Sequence, residues 1–465
     1  MNRIADTALR ILACVLLASM IVAAWHDVSK AWDVWFYHLP FAARLLGIVD
    51  GASYTFGAPN QARFGGFPLF GELLQGLFWK ITGRVECANF VALLSIPAFA
   101  YFLRRLFDVP LHLTVLALLA VPLVQIHATA CYVDLPGNTF AAMLVLLAYR
   151  QVVRREPPTV RTLAAAGALA AATANTKFQL VPIVIATSLV LVVTSLRRDS
   201  ERTRRLLVVG AALPFVMATP IKNLFVHGNP VWPVELAILG HSLPHIERAY
   251  ASSPDWLEHS PRPMRFAASV LELGLRPIAS HARWSIDQWT PPREPGYRMG
   301  GFFGAYVVVN VIALVVGAVR LRARESKVAL AFAAGLTAVT SMLPQSHELR
   351  YYLSWMIVLL ALVLVVWAKH RPLVLAAVAT TALAVVAWST EGTYLYASGD
   401  SFAKLVDTKV DARVLDAVAP GARVCIDRQP WTFLYAPRFH PARSYSVQEA
   451  EVPTDCAGLP TPATP

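Results

Sequence analysis

Apolar runs recur along this chain from residue 8 to residue 389, most of them long enough to cross the roughly 30 Å of hydrocarbon in a bilayer. They fall near residues 8 to 25, 86 to 103, 111 to 128, 135 to 150, 161 to 175, 179 to 196, 206 to 219, 301 to 319, 328 to 343, 352 to 368 and 372 to 389. In lipid a backbone must satisfy its own polar groups, so such runs predict helices, about eleven of them. With 56% of 465 residues hydrophobic and only 15% charged, the main solvent of this chain is lipid. The first run has the basic and apolar regions of a signal peptide, but no small-residue cleavage site precedes Trp25 and His26. It reads as an uncleaved first span.

The net charge of +12 is not a nucleic-acid footprint, because Lys and Arg sit in short clusters at the ends of apolar runs rather than in one basic stripe. They are topology signals. With Arg3 and Arg10 cytoplasmic, the loops holding Arg104 and Arg105, Arg150 to Arg161, Arg197 to Arg205, Arg320 to Lys327, and Lys369 with Arg371 all become cytoplasmic. This holds only if residues 67 to 82, GFPLFGELLQGLFWKI, lie along the membrane surface instead of crossing it. Residues 34 to 47 suit a second interfacial helix, and the two belong to a first outer loop at 26–85.

The outward side then also holds the ATACYVDLPGN turn, a long loop at 221–300 and the QSHELRYY turn. The expected fold is an all-α polytopic membrane domain over residues 1–389 with a small outward α/β domain at 390–465. In that tail DARVLDAVAPGARVCIDRQPWTFLYA reads as helix, turn, strand and helix. The expected location is the cytoplasmic (inner) membrane, with the N-terminus cytoplasmic and the tail outward. Five cysteines show no CxxC or Cys/His spacing of a zinc site, and no Gly-rich nucleotide loop or fixed-period repeat is present. Cys425 and Cys456 share the outward tail, where an oxidising compartment permits a disulfide.

The strongest local signal is WDVWFYHLP, just after the first span. Asp33 and Tyr37 share a helical face, and a carboxylate desolvated among aromatics there would have a raised pKa and could take a proton from an acceptor hydroxyl. The same residues also suit an interfacial aromatic belt with one N-capping Asp. Asp134 in YVDLP is open to the same two readings, as an ordinary helix cap or as a second working carboxylate that orients an acceptor or holds a divalent cation. Lys177, Lys222 and Arg350 lie at outward ends of spans, where positive-inside expectations disfavour them. Each is a candidate phosphate contact or a side chain snorkelling to headgroups. Glu72, His38 and His347 are candidate acceptor or metal contacts, or simply satisfied interfacial groups, and Tyr351 is a candidate pocket residue. The turn HGNPVWP shapes a wall by its Gly-Asn-Pro chemistry.

Taken in order, WDVWFYHLP, FPLFGELL, YVDLP, TKFQL, KNLFVHGNPVWP and HELRYY resemble the membrane-embedded C-type (GT-C) glycosyltransferases, most of all the protein-mannosyltransferase-like, aminoarabinose-transferase-like family. The resemblance covers roughly residues 8 to 370 and not the tail. It implies that Asp33, four positions before Tyr37, acts as base or orients the acceptor, that Asp134 is the second outer-loop acid, and that Lys177 and Arg350 hold a donor phosphate, with Lys222 a weaker transfer. The chain has Asp33-Val34 where an Asp-Glu pair is commoner, and Gly66-Phe67-Pro68 where His-Pro-Pro is often found, so metal use is left open.

The implied activity is an inverting transfer of sugar from a polyprenyl-phosphate donor to a lipid, glycan or protein acceptor at the outer face. The implied partners are that donor, the bilayer and an unspecified acceptor. The sequence fixes no cofactor, and a divalent cation stays open. Two rivals remain: a transporter or flippase of a lipid-linked or anionic solute, and a non-catalytic assembly subunit. A transporter would more commonly show internal repeats and midplane charges, whereas here ionisable residues gather at one face.

Overall fold

The computed structural model describes residues 3–196, 201–248, 253–274, 281, 283–286, 299–392 and 394–450. The apolar runs are helical. α1 (Arg3–His26) leads through a single π-helical turn, Val34–His38, into α2 (Leu39–Leu45). The rest of the first loop carries β1 (Tyr54–Thr55), α3 (Ala58–Gly66) and α4 (Phe70–Thr82). Next come α5 (Phe90–Phe107), α6 (Leu111–Leu119), α7 (Pro122–Ala128), α8 (Asp134–Arg154), α9 (Val160–Ala174), α10 (Val181–Ser195), α11 (Arg202–Val216) and α12 (Ala218–His227). The long loop holds a hairpin, β2 (Ala237–Ile238) and β3 (His241–Ser242), then α13 (Asp255–Glu258) and α14 (Arg262–Val270). α15 (Gly304–Arg320), α16 (Arg324–Met342), α17 (Leu353–Trp367) and α18 (Pro372–Ser389) complete the apolar part.

Among the described residues five helices are long and apolar enough to cross a membrane, and seven if each of two bent pairs counts as one. The run at 111 to 128, expected as one span, is such a pair: α6 and α7 meet at 98°. Val121 is extended before Pro122, as a residue preceding proline prefers, and the helix cannot continue through it. The run at 206 to 219 is bent too, by 52° between α11 and α12, with Pro214 before the break and Pro220 after it.

α17 is apolar on every side and buried along nearly its whole length, as a central helix should be. α8, α15 and α16 pack around it. The outer helices do the reverse. Ile11 and Val15 on α1, Ile185, Leu189 and Val193 on α10, and Ile312 and Val319 on α15 are exposed. An apolar surface of that extent is stable against lipid and not against water.

α4 corrects the expected surface helix in one respect. Its leucines face outward, with Leu73, Leu77 and Ile81 exposed, while the polar Glu72 and Gln75 are buried at 3% and 0%. The helix lies against the protein through the face that carries Glu72 and Gln75 together with Trp79. Gly71 and Gly76 make this close approach feasible, since a Cβ at Gly71 would stand 2.5 Å from Val133 Cγ1 and one at Gly76 2.7 Å from the Ala42 carbonyl oxygen.

The tail contains α19 (Phe402–Lys409), α20 (Ala412–Asp416), β4 (Ala422–Asp427) and β5 (Tyr445–Ala450). It shares a sheet with the segment between α1 and α5. β5 pairs in parallel with β4 on one side and β1 on the other, with Val447 opposite both Val424 and Tyr54. The Trp35 ring stacks on Phe402 at 5.9 Å and tilts against Trp431 at 6.4 Å. The Val28 N–H donates to the Asp400 carbonyl (2.8 Å), and Lys30 pairs with the Asp400 carboxylate (2.7 Å). Cys425 is buried and disulfide-bonded, whereas Cys456 of the anticipated pair lies outside the described residues.

A buried carboxylate organises the end of the long loop. Glu272 accepts from Arg283, from Trp284 Nε1 (2.9 Å) and from the N–H groups of Gly301 (2.9 Å) and Phe303 (3.0 Å). Gly301 takes φ +98°, and a Cβ there would stand 2.5 Å from Leu123 Cγ. Gly301→Ala is therefore expected to cost about 1–3 kcal/mol from overpacking, with backbone strain in addition, read as a lower thermal midpoint of the purified protein.

Candidate functional site

The two acids and two of the three cations singled out in the sequence meet in one cluster. Asp33 stands at the start of the π-helical turn, and its carboxylate does not cap that turn. It accepts instead from Arg350 Nη1 at 2.9 Å. Arg350 lies in a short 3-10 turn, Leu349–Tyr352, that delivers it to the N-terminal end of α17, and it is 3% exposed. Its Nη2 donates to the Tyr351 hydroxyl (3.0 Å), and its Nε lies 3.7 Å from Glu348. The purely aromatic surroundings expected for Asp33 thus require correction. A guanidinium faces it, which favours the charged carboxylate.

Asp134 occupies the first turn of α8, where its side chain likewise caps nothing. It accepts from Lys177 Nζ, which reaches over from the break between α9 and α10. Lys177 therefore turns inward instead of snorkelling, and its Nζ lies 4.1 Å from the centre of the Tyr351 ring. Arg350 lies over the same ring at 4.8 Å and over Tyr132 at 5.5 Å. One tyrosine is the shared floor for both cations, an arrangement in which the ring's negative face helps hold charges away from water.

Asn138 sets the register between the two halves. One turn beyond Asp134 on α8, it donates to the Asp134 carbonyl (2.8 Å) and the Arg350 carbonyl (3.1 Å), and accepts from the Ser354 N–H (2.8 Å). Sequence reasoning missed Asn138, Glu348 and Tyr132. The only available signal was their position one helical turn or less from a named residue.

His38 and Glu72 form a separate buried pair, Nδ1 to Oε1 at 2.7 Å. The His38 ring lies 4.3 Å from that of Tyr37 and 5.9 Å from Tyr132. Burial, followed by the charge of Asp33, pushes the Tyr37 phenol well above its ordinary value, so the hydroxyl keeps its proton. His347 is buried, and its carbonyl accepts from Ser269 Oγ (2.6 Å).

Lys222 stays apart. It is exposed on α12 and donates to the Gly65 carbonyl, while its neighbour Asn223 binds the carbonyls of Gly66 (2.7 Å) and Trp232 (3.2 Å). The HGNPVWP turn is therefore fastened to Gly66, with His227 stacked on Trp232 at 4.7 Å.

Two buried carboxylate oxygens, Asp134 Oδ2 and Glu72 Oε2, have no hydrogen-bond partner among the described residues. Unsatisfied buried oxygens of this kind are costly and mark places where a ligand donor is expected. Among the described residues no three His, Cys, Asp or Glu side chains converge as metal ligands. An apolar cleft of about 250 Å³ opens between α8, α10 and α16, lined by Val145, Ile183, Thr187, Val190, Phe332 and Leu336. α8 and α10 are the helices that begin beside Asp134 and Lys177.

This architecture is one already seen among solved structures. The particular structure that shows it is ArnT from Cupriavidus metallidurans in the apo state, which matches with a TM-score of 0.53 and 15% identity over 95% of this chain and 90% of that chain. ArnT from the same organism bound to undecaprenyl phosphate gives a TM-score of 0.49 at 13% identity, over 96% and 90% of the two chains. The mycobacterial arabinofuranosyltransferase AftD gives 0.40 at 16% identity, over 95% of this chain and 33% of that one. No family model and no curated protein matches the sequence.

Proposed function

We propose that this protein is an outward-facing membrane glycosyltransferase that moves a sugar from a polyprenyl-phosphate donor to a lipid, glycan or protein acceptor, with inversion at the anomeric carbon. The observation that carries the reading is the convergence of Arg350 and Lys177 on the Tyr351 ring, each held by a carboxylate. Buried cations are expensive unless paired, so in the free protein Asp33 and Asp134 stand where donor phosphate oxygens would go. On donor binding the phosphate takes over these cations, Arg350 through its fork and Lys177 as a point charge. The charge that builds on the leaving phosphate then meets fixed donors in a water-poor site. Asp33, released, orients the acceptor hydroxyl or amine.

The apolar cleft suits the polyprenyl chain, because it descends along α8 and α10, the helices that begin beside Asp134 and the phosphate contact Lys177. In this topology about eleven helical crossings put the N-terminus in the cytoplasm and the tail outside. The fold shared with ArnT, an aminoarabinose transferase, supports the reaction class.

Membranes containing the protein, incubated with a panel of labelled polyprenyl-phosphate sugars, are expected to transfer label to an acceptor. Absence of transfer from every donor, together with counterflow of solute in proteoliposomes, would replace the enzyme by a transporter. Lys177→Gln should weaken retention of undecaprenyl phosphate by about tenfold or more, the value of one charge-assisted contact. Lys222→Gln, outside the cluster, should change it by less than about twofold.

A further inference from the structure

The transfer releases one proton from the acceptor, and we propose that His38, oriented by Glu72, is the base that takes it. This inference rests on the sugar-transfer reading. Each acid of the cluster already has a task, as counter-ion of a cation in the free protein and, for Asp33, in orienting the acceptor. Asp33 faces Arg350 and Asp134 faces Lys177. His38 is placed differently. It follows Tyr37 on the same π-helical turn that begins after Asp33, and Glu72 approaches it from α4.

The pair has the geometry of a base and its orienting acid. Both side chains are 4% exposed, and in the tautomer in which Nδ1 donates to Glu72, Nε2 is left as the proton acceptor. Among the described residues Nε2 makes no hydrogen bond. Ionisable groups near the ring include Tyr37 on the same turn and, from the α7–α8 side, Tyr132 with His127, whose rings lie 4.7 Å apart. Tyr132 also underlies Arg350, so one ring separates the base from the donor clamp.

The mount is rigid. Gln75, one turn after Glu72, donates to the Cys131 carbonyl at 2.7 Å, and Gly71 lets α4 close onto Val133. Glu72 Oε2 remains buried and unpartnered, an arrangement costly for a mere structural tie. In the step itself the acceptor O–H or N–H bond breaks and its electron pair forms the bond to the anomeric carbon. The anomeric carbon–oxygen bond breaks with its pair leaving on the phosphate, and the proton passes to His38 Nε2 and then to water.

The test uses the full-length protein in nanodiscs with the donor and acceptor found active in the panel, and undecaprenyl phosphate as the binding probe. His38→Gln is expected to lower kcat by roughly 10²–10⁴-fold, the usual contribution of a general base, with donor KM and undecaprenyl phosphate retention within about twofold of wild type. Glu72→Gln should lower kcat less, and His38→Ala should regain turnover with added imidazole. Transfer by His38→Gln within about twofold of wild type would overturn the proposal while leaving the sugar-transfer reading intact. So would a loss that appears only as weaker donor retention and that imidazole does not restore, since the pair would then be a structural tie. If the wild type transfers no sugar from any donor, the functional reading itself falls.

Discussion

Asp33→Asn is expected to reduce sugar transfer by at least about 10³-fold while the protein accumulates and purifies like wild type. Asn has the same shape, and Arg350 keeps the Tyr351 hydroxyl at 3.0 Å and Glu348 at 3.7 Å, so the buried guanidinium is not stranded. The lost element is the negative charge that neutralises Arg350 in the free protein and then orients the acceptor. Undecaprenyl phosphate should still be retained, even more tightly, because the phosphate no longer competes with a carboxylate for Arg350. Turnover and retention measured side by side separate the two roles. Near-normal turnover would remove Asp33 from the mechanism, and loss of retention would recast it as a structural partner of Arg350.

The helices and the residue types of the cluster were legible because each follows from a local rule. Apolar length marks helices, and a charge at an outward helix end departs from the positive-inside pattern. That is why Asp33, Asp134, Lys177 and Arg350 could be named, while the choice between cap and ligand had to wait for geometry. In each case the carboxylate left its helix end for a cation far away in sequence. The inward turn of α4 was not legible, because a helix at a lipid boundary can present either face to the protein. Glu72 and Gln75 look like a solvent stripe until Cys131 and His38 are seen beneath them.

The break between α6 and α7 has a local sign in Pro122, but its 98° angle depends on what packs below. Pairing of β1 with β5 could not be read at all, since two residues carry no period and their partners lie near the other end of the chain.

That pairing joins the tail to the site. The π-helical turn carrying Asp33, Tyr37 and His38 is held on its far side by Trp35 against Phe402 and Trp431, both tail residues. The fastening with the most at stake is Glu449, which is 4% exposed and accepts from the Tyr54 hydroxyl (2.6 Å), the Gly57 N–H (3.0 Å) and Asn60 Nδ2 (3.1 Å). Glu449→Ala leaves the Tyr54 hydroxyl and the Gly57 N–H without an acceptor and Asn60 Nδ2 with the Phe36 carbonyl alone, and is expected to cost about 2–6 kcal/mol. The loss should appear as rapid proteolysis within residues 50–66, faster hydrogen exchange in the Val34–His38 turn, and a fall in transfer. Intact protection of that turn would show that the tail does not position it.

The carboxyl also sets a pH dependence whose sign is fixed. Burial pushes Glu449 up from its ordinary value of 4.5, against the lowering effect of its three hydrogen bonds. A group raised in the folded state contributes stability that is full below its unfolded value and fades as pH climbs through the folded one. Docking of the tail should therefore tighten on acidification through the range just above 4.5, and Glu449→Gln should remove that dependence. If the turn loosens on acidification instead, the dominant carboxyl is another one, and the tail is tied down by Asp400 and its pairing with Lys30.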